Sequence, residues 1–398
     1  VEFEPSEEQA LIAKTARAFA ERELAPRAAA RDASGEFPER EMRALGELGL
    51  TGVLVPAAYG GAEAGAVALA LVVREIARAD ASVAITLSVT NMVAETIARF
   101  GSEEAKRAYL PPVCSGEGVA AAFALSEPQA GSDPAALRTT FERTAGGGYR
   151  ISGGKLWTTS GDRASVILVV ARAAPDAGGE GGEGGEGGDR RFTAFVVERG
   201  ARGLEPGRHE QKMGQHGSST VALTFDGVEV PEHARLGGEG DGLRVAFAAL
   251  GGGRIGVASL AVGVGGAALE AARRYARERR QFGAPIGEFQ AVKLMLADSA
   301  TALDAAWLLV LAAAWRKERG LPFVREAAEA KLFASERAVE VCDRAIQIHG
   351  GYGYSREFPV ERHFRDVRVT TIYEGTSQIQ RLVIARDLLA AAATSATI

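Results

Sequence analysis

The chain has 398 residues, 46% of them hydrophobic and 24% charged, with a formal net charge of −5. That length allows two or three domains with a sizeable core, and that charge offers no bulk attraction for nucleic acid. Two cysteines, Cys114 and Cys342, without a CxxC argue against a disulfide framework or a structural zinc site and suit a reducing, cytoplasmic setting.

The first residues, "VEFEPSEEQA", are acidic and polar, with no signal-peptide pattern. Ser6 and Gln9 have capping-box spacing ahead of "EEQALIAKTARAFAEREL". Pro38 suits the first turn of "PEREMRALGELG", which Gly49 would end, and two further helical stretches follow to residue 118. The pattern then changes. "LRTTFERTAGGGYRISGGKLWTT", "SVILVVARA", "RFTAFVVER" and "STVALTFDGVEVP" are short, β-branched or alternating, and broken by glycines. They predict an antiparallel β domain over residues 119–232. Between two of these strands lies "GGEGGEGGEGGD", residues 178–189, expected as a solvated surface excursion. From residue 233 to 398 the period returns to that of helices, in stretches long enough for an antiparallel bundle. Its best apolar run, near residues 305–315, is about eleven residues, short of the roughly 20 a bilayer needs, so no stable membrane insertion is expected.

Two glycine patterns, "GGGRIG" and "GVGGAA", match the dinucleotide fingerprint in letters only. Both lie in one Ala-rich helical stretch with no preceding strand, so close helix packing explains them better than nucleotide binding. The five histidines are scattered and form no metal-ligand spacing, and neither a GxSxG elbow nor a P-loop is present, so no metal is expected. Three other stretches are more specific. "ALSEPQAGSD" offers small residues whose backbone can approach a ligand closely. "KLWTTSG" places an aromatic beside two hydroxyls, and "QIHGGYGYSREFPVERHFRD" ends a helix in glycines, which by itself is an ordinary C-cap.

With "ERRQFGAPIGEFQ" and "YEGTSQIQ", these blocks closely resemble the acyl-CoA dehydrogenase family over nearly the whole chain. The resemblance implies a mainly α fold: a helical N-terminal domain, a β-barrel-like middle domain and a C-terminal four-helix bundle. It implies non-covalent FAD and a homotetramer built as a dimer of dimers. Phe123, Leu125, Ser126, Gly131 and Ser132 would lie against the flavin, with Ser132 also near substrate. Trp157 and Thr159 would flank the isoalloxazine. Arg279, Gln281, Phe282, Gln347, Gly350 and Gly351 would meet the adenine and pyrophosphate end of the neighbouring subunit's FAD, while Thr376 and Gln378 would touch the cofactor of their own subunit. Arg254, Tyr373 and Gly375 would border the acyl-CoA substrate.

The implied reaction is α,β-dehydrogenation of an acyl-CoA thioester, with hydride passing to flavin N5 and electrons then to an electron-transfer flavoprotein. An acyl-CoA oxidase or flavin monooxygenase using O2 is the alternative on the same fold. By resemblance Glu374 is the base that takes the α-proton, in a dry pocket that would raise its pKa. A branch of the family carries its base just before an arginine in the long helix; here that slot is Gly253, before Arg254, and a glycine cannot take a proton. One departure is Gly251, where relatives often have an aspartate near the bound CoA chain.

Overall fold

A computed structural model describes residues 5–174 and 191–395, so the Gly/Glu-rich stretch 178–189 lies outside the described residues. Six helices come first: α1 (Glu7–Phe19), α2 (Ala28–Ser34), α3 (Glu39–Glu47), α4 (Gly65–Ala79), α5 (Ala81–Phe100) and α6 (Glu103–Cys114). The expected capping box forms, with Ser6 and Gln9 bonded reciprocally at the start of α1. Gly49 adopts a left-handed conformation just past α3. α5 starts at Asp80, whose carboxylate accepts from the N–H groups of Ser82 and Val83. It is buried nearly all round, with the hydroxyls of Thr86, Thr90 and Thr96 bonded back to its own carbonyls.

The strands are β1 (Ala121–Ala124), β2 (Thr140–Arg143), β3 (Tyr149–Thr159), β4 (Val166–Ala173), β5 (Phe192–Glu198), β6 (Leu204–His209), β7 (Thr220–Val230) and β8 (Arg235–Leu236). They form a sheet in the order β6-β7-β3-β2-β4-β5-β8, with β1 also beside β4. The antiparallel expectation needs one correction: β4 runs parallel to both β1 and β2. β4 opens with "VILVVA", six apolar residues in a row buried on both faces, which is the signature of a strand in a parallel setting. The described strand path is open, so no closed barrel is seen.

The C-terminal part holds α7 (Gly242–Glu278), the short hairpin β9 (Arg280–Gln281) and β10 (Ala284–Pro285), α8 (Gln290–Glu318), α9 (Val324–His349), α10 (Val360–Arg368) and α11 (Ser377–Ser395). α7, α8, α9 and α11 are the four long helices, with α9 packed against the other three. Both fingerprint-like glycine patterns fall inside α7, where the glycines allow close packing. A β-carbon at Gly256 would stand 2.1 Å from the Ser88 hydroxyl of α5, and one at Gly263 would stand 2.4 Å from the Arg74 carbonyl of α4.

Three helices, α5, α7 and α8, are long and apolar enough to cross a membrane. This corrects the sequence reading, which weighed only the strictly uninterrupted apolar run. In α5 and α7 the apolar window is 89% and 78% buried within the protein, whereas in α8 it is 22% buried. Thus among the described residues α8 leaves an apolar face uncovered.

Candidate active site

Glu374 sits where the chain reverses between α10 and α11. Its φ is +55°, and that of Gly375 is +90°. Left-handed backbone costs a non-glycine residue about 1–2 kcal/mol, so neighbours must hold it. Two fully buried side chains do so. Gln380, in the first turn of α11, donates from Nε2 to the carbonyls of Glu374 (3.1 Å) and Gly375 (2.8 Å). Lys331, on α9, donates from Nζ to the Gly375 carbonyl at 2.7 Å. The Ser377-x-x-Gln380 spacing matches a capping box, but the cap of α11 forms elsewhere. Thr376 Oγ1 accepts from the Ile379 N–H at 3.3 Å, one residue earlier, because the Gln380 amide is spent on the turn.

The Glu374 carboxylate points into the seam between α5 and α7. A β-carbon at Gly253 would stand 2.6 Å from Oε2 and 2.7 Å from Met92 Sδ, so any side chain there would displace the carboxylate. The residue as a whole keeps some exposure, yet Oε2 is closed to solvent and has no hydrogen-bond partner among the described residues. Burial pushes its pKa up to about 7, against the opposing pull of Arg254 and Lys331. Arg254 is itself buried and acts by charge across the site. Tyr373 is fixed from outside: its hydroxyl accepts from Gln215 Nε2 at 3.3 Å, and the Gln215 N–H donates to buried Asp366 at 2.5 Å. At Gly251 the Phe323 ring would lie 3.5 Å from a β-carbon, and beside it the Glu95–Lys317 ion pair (2.6 Å) crosses from α5 to α8 next to Gly252.

A second cluster forms on the sheet. β1 ends at Ala124, carrying Phe123, and leads into Leu125 and Ser126. The Ser126 carbonyl accepts from the Leu156 N–H at 2.8 Å, which ties this loop to β3. Beneath it, fully buried Lys155 donates to Glu127 at 2.8 Å and to the Leu125 carbonyl at 3.1 Å. An irregularity in β3 between Lys155 and Thr158 breaks its register with β7. There Trp157 takes φ +58° and stays 60% exposed. An exposed, conformationally constrained indole beside Thr159 suits a planar ring. Gly131, with Ser132 next to it, faces open space: a β-carbon on Gly131 would meet nothing within 4 Å.

A third cluster lines a groove of about 450 Å³ formed by Tyr275, Arg279, Gln281, Ile348, Gly350 and Gly351 among others. Gly350 and Gly351 also face open space, leaving the backbone approachable by an anionic group. Phe282, at φ +51°, is 95% exposed on the β9–β10 turn. Gln347 and Gln378 are exposed and are not drawn into any of these clusters by this chain alone. Sequence reasoning missed Lys331 and the Glu127–Lys155 pair, and gave Gln380 a capping role rather than a hold on the Glu374 turn. The small residues facing Met92 left a trace, as the glycine run in α7.

The open backbone at Gly131 and the presented Trp157 would suit a flavin dinucleotide. Comparison with known proteins agrees. Three family models match in succession: acyl-CoA dehydrogenase N-terminal domain (residues 6–117), middle domain (residues 122–228) and C-terminal domain (residues 240–389). An acyl-CoA dehydrogenase of Bacillus subtilis (strain 168) is 44% identical over 385 residues, covering 96% of this chain and 98% of that one. The structure of butyryl-CoA dehydrogenase from Megasphaera elsdenii superposes with a TM-score of 0.92 at 40% identity, covering 98% and 100% of the two chains. A chain from work on the electron transferring flavoprotein of Acidaminococcus fermentans superposes with a TM-score of 0.93 at 40% identity, again covering 98% and 100%. Proteins of this kind are FAD-dependent oxidoreductases. Fold, domain order and sequence agree, and the chain belongs to the acyl-CoA dehydrogenase family.

Proposed function

We propose that this protein dehydrogenates a short-chain acyl-CoA between its α and β carbons, with Glu374 as the base. The observation that carries this reading is the Glu374 carboxylate, enclosed at Oε2, without a donor, and raised to about 7 by burial. Such a group takes a proton readily near neutral pH. Bound FAD supplies the acceptor for the β-hydride. The chain's own residues would do the rest. Arg254 balances the charge of the site, Met92 and Tyr373 wall it, and the Glu374 N–H, aimed by the left-handed turn, would donate to the thioester oxygen as negative charge develops there. Leu125, Ser126, Trp157 and Thr159 would seat the flavin, with Thr376 and Gln378 nearby.

The short-chain assignment draws on the likeness to butyryl-CoA dehydrogenase. The likeness to a chain from work on an electron transferring flavoprotein favours such a protein as electron acceptor. The oxygen-using alternative is not favoured: the monooxygenase branch commonly lacks the base that Glu374 supplies, and the relatives named above are dehydrogenases. A homotetramer is the proposed assembly. It would cover the apolar face of α8 and bring the groove of Arg279, Gln281, Gly350 and Gly351 against a neighbour's FAD.

Glu374→Gln tests the reading. The variant should hold FAD with normal visible absorbance but fail to bleach when butyryl-CoA is added without oxygen. Bleaching at the wild-type rate would overturn the assignment of the base.

A further inference from the structure

A buried ammonium stands next to the Glu374 turn, and the chemistry above does not use it. Lys331 belongs to "EAKLFASE" on α9 and has 0% exposure. Burying an ammonium is unfavourable unless charge and hydrogen bonds compensate it, and a leucine or methionine would pack this helix face without that cost. Its Nζ donates to the Gly375 carbonyl at 2.7 Å. That carbonyl also accepts from Gln380 Nε2, so donors from α9 and α11 converge on the peptide just after Glu374.

The charges around it are few. Lys331 feels Glu374 on the turn, Arg254 from α7 and Glu336 from its own helix. Arg254 in turn feels Arg386 from α11. The Glu95–Lys317 pair beside Gly252 is already matched. Glu374 is thus the unpaired carboxylate facing the Lys331 charge, while Glu336 is ion-paired with Arg381.

We propose that Lys331 is a positioning residue for the proton-transfer step: its ammonium holds the Gly375 carbonyl and so fixes the left-handed turn, and its charge keeps the adjacent carboxylate anionic until substrate arrives. The proposal rests on Glu374 being the base. The proton passes from the substrate α-carbon to the Glu374 carboxylate, and Lys331 takes no part in that transfer. Burial pushes Lys331 down to about 7 and Glu374 up to about 7, each resisted by the other's charge. The two therefore titrate as a pair. With Lys331 neutralised, Arg254 alone opposes burial, so the Glu374 carboxyl must rise further and be less ionised at neutral pH.

Lys331→Met removes both hydrogen bond and charge, and Lys331→Gln keeps a donor but removes the charge. The readout is α-proton exchange in D2O on an acyl-CoA whose β-carbon is replaced by sulfur, which has no β-hydride to give. Flavin absorbance and thermal melting are followed in parallel. Both variants should bind FAD, so that exchange is read on the loaded enzyme. At pH 7 exchange should fall about tenfold in both, with the midpoint of its pH profile raised by about one unit. At high pH the glutamine variant should recover the wild-type plateau and the methionine variant should not. Unchanged midpoints and rates in both variants, with Glu374→Gln inactive in the same assay, would overturn the role of Lys331 and leave the base in place. Exchange that survives in Glu374→Gln would instead overturn the assignment of the base. A melting temperature lowered in both variants, with unchanged pH profiles, would make Lys331 purely structural and also overturn the proposal.

Discussion

The Glu374 carboxylate and Gly253 meet across the α5–α7 seam so closely that a β-carbon on Gly253 would lie 2.6 Å from Oε2. The carboxylate occupies space that only a glycine leaves free. The side-chain slot on α7 and the carboxylate on the turn are mutually exclusive.

Gly253→Ala should therefore fold, because the atoms it meets are the ends of flexible side chains, Glu374 and Met92. It should lose about 10- to 100-fold in kcat through a displaced base, as misplacement by about 1 Å can do. Steady-state kinetics with butyryl-CoA, beside an unchanged flavin spectrum, would check this.

Proton abstraction should follow the ionisation of Glu374. Burial holds that carboxyl at about 7. The anion is the active form, so kcat/KM should fall about tenfold per pH unit below the midpoint and level off above it. The same shift has a stability consequence. A carboxyl raised above its unfolded value binds its proton more tightly in the folded state, so folding stability falls as pH rises from about 4.5 to about 7. Glu374→Gln should remove that loss and melt higher than wild type at pH 8, by the equivalent of about 1–2 kcal/mol. Calorimetry across that range reads it directly.

The Glu127–Lys155 pair anchors the Leu125–Ser126 loop, the proposed seat of the flavin. Burial pushes Glu127 up, but the Lys155 bond and charge, with the Thr139 and Arg138 N–H groups, hold it at about 2. Its contribution is thus fully present above about 4.5 and is lost as pH falls towards 2. Lys155→Met leaves a buried carboxylate unmatched and should cost about 3–5 kcal/mol. It also frees the Leu125 carbonyl, so FAD should dissociate more readily. Urea unfolding and flavin release on dilution would show the two effects.

Leu294 and Leu308 on α8 and Leu382 and Leu389 on α11 are 57%, 47%, 65% and 73% exposed. Apolar side chains in that density on two bundle helices suit burial against further copies of the chain. Leu308→Glu with Leu389→Glu should yield a smaller species by sedimentation and weaken FAD retention, because the Arg279–Gly351 groove would lose its neighbour. A wild-type monomer that holds FAD tightly would contradict the proposed assembly.

Local rules carried far in this chain. The Ser6–Gln9 cap, the end of α9 at Gly350 and the packing glycines of α7 are each legible from a few neighbouring letters, because the forces behind them act within one or two helical turns. The parallel pairing of β4 is not legible that way: alternation and glycine breaks mark strands but say nothing of partner direction. The hold on Glu374 is also invisible in the letters. Lys331 and Gln380 reach one turn from two helices, and an alanine-rich helix gives no hint that its one lysine points inward. Resemblance singled out Glu374 as the base, while the residues that support it emerge only from the packing.

The left-handed backbone at Glu374 has a consequence for how this position tolerates change. Glycine adopts φ +55° freely, so Glu374→Gly should relieve both the backbone and the buried charge. A survey of substitutions scored by cellular abundance would rank position 374 as permissive, even favourable to glycine. Scored by turnover, the same position would admit almost nothing. The gap between those two scores marks how far this one residue is kept against the interest of the fold.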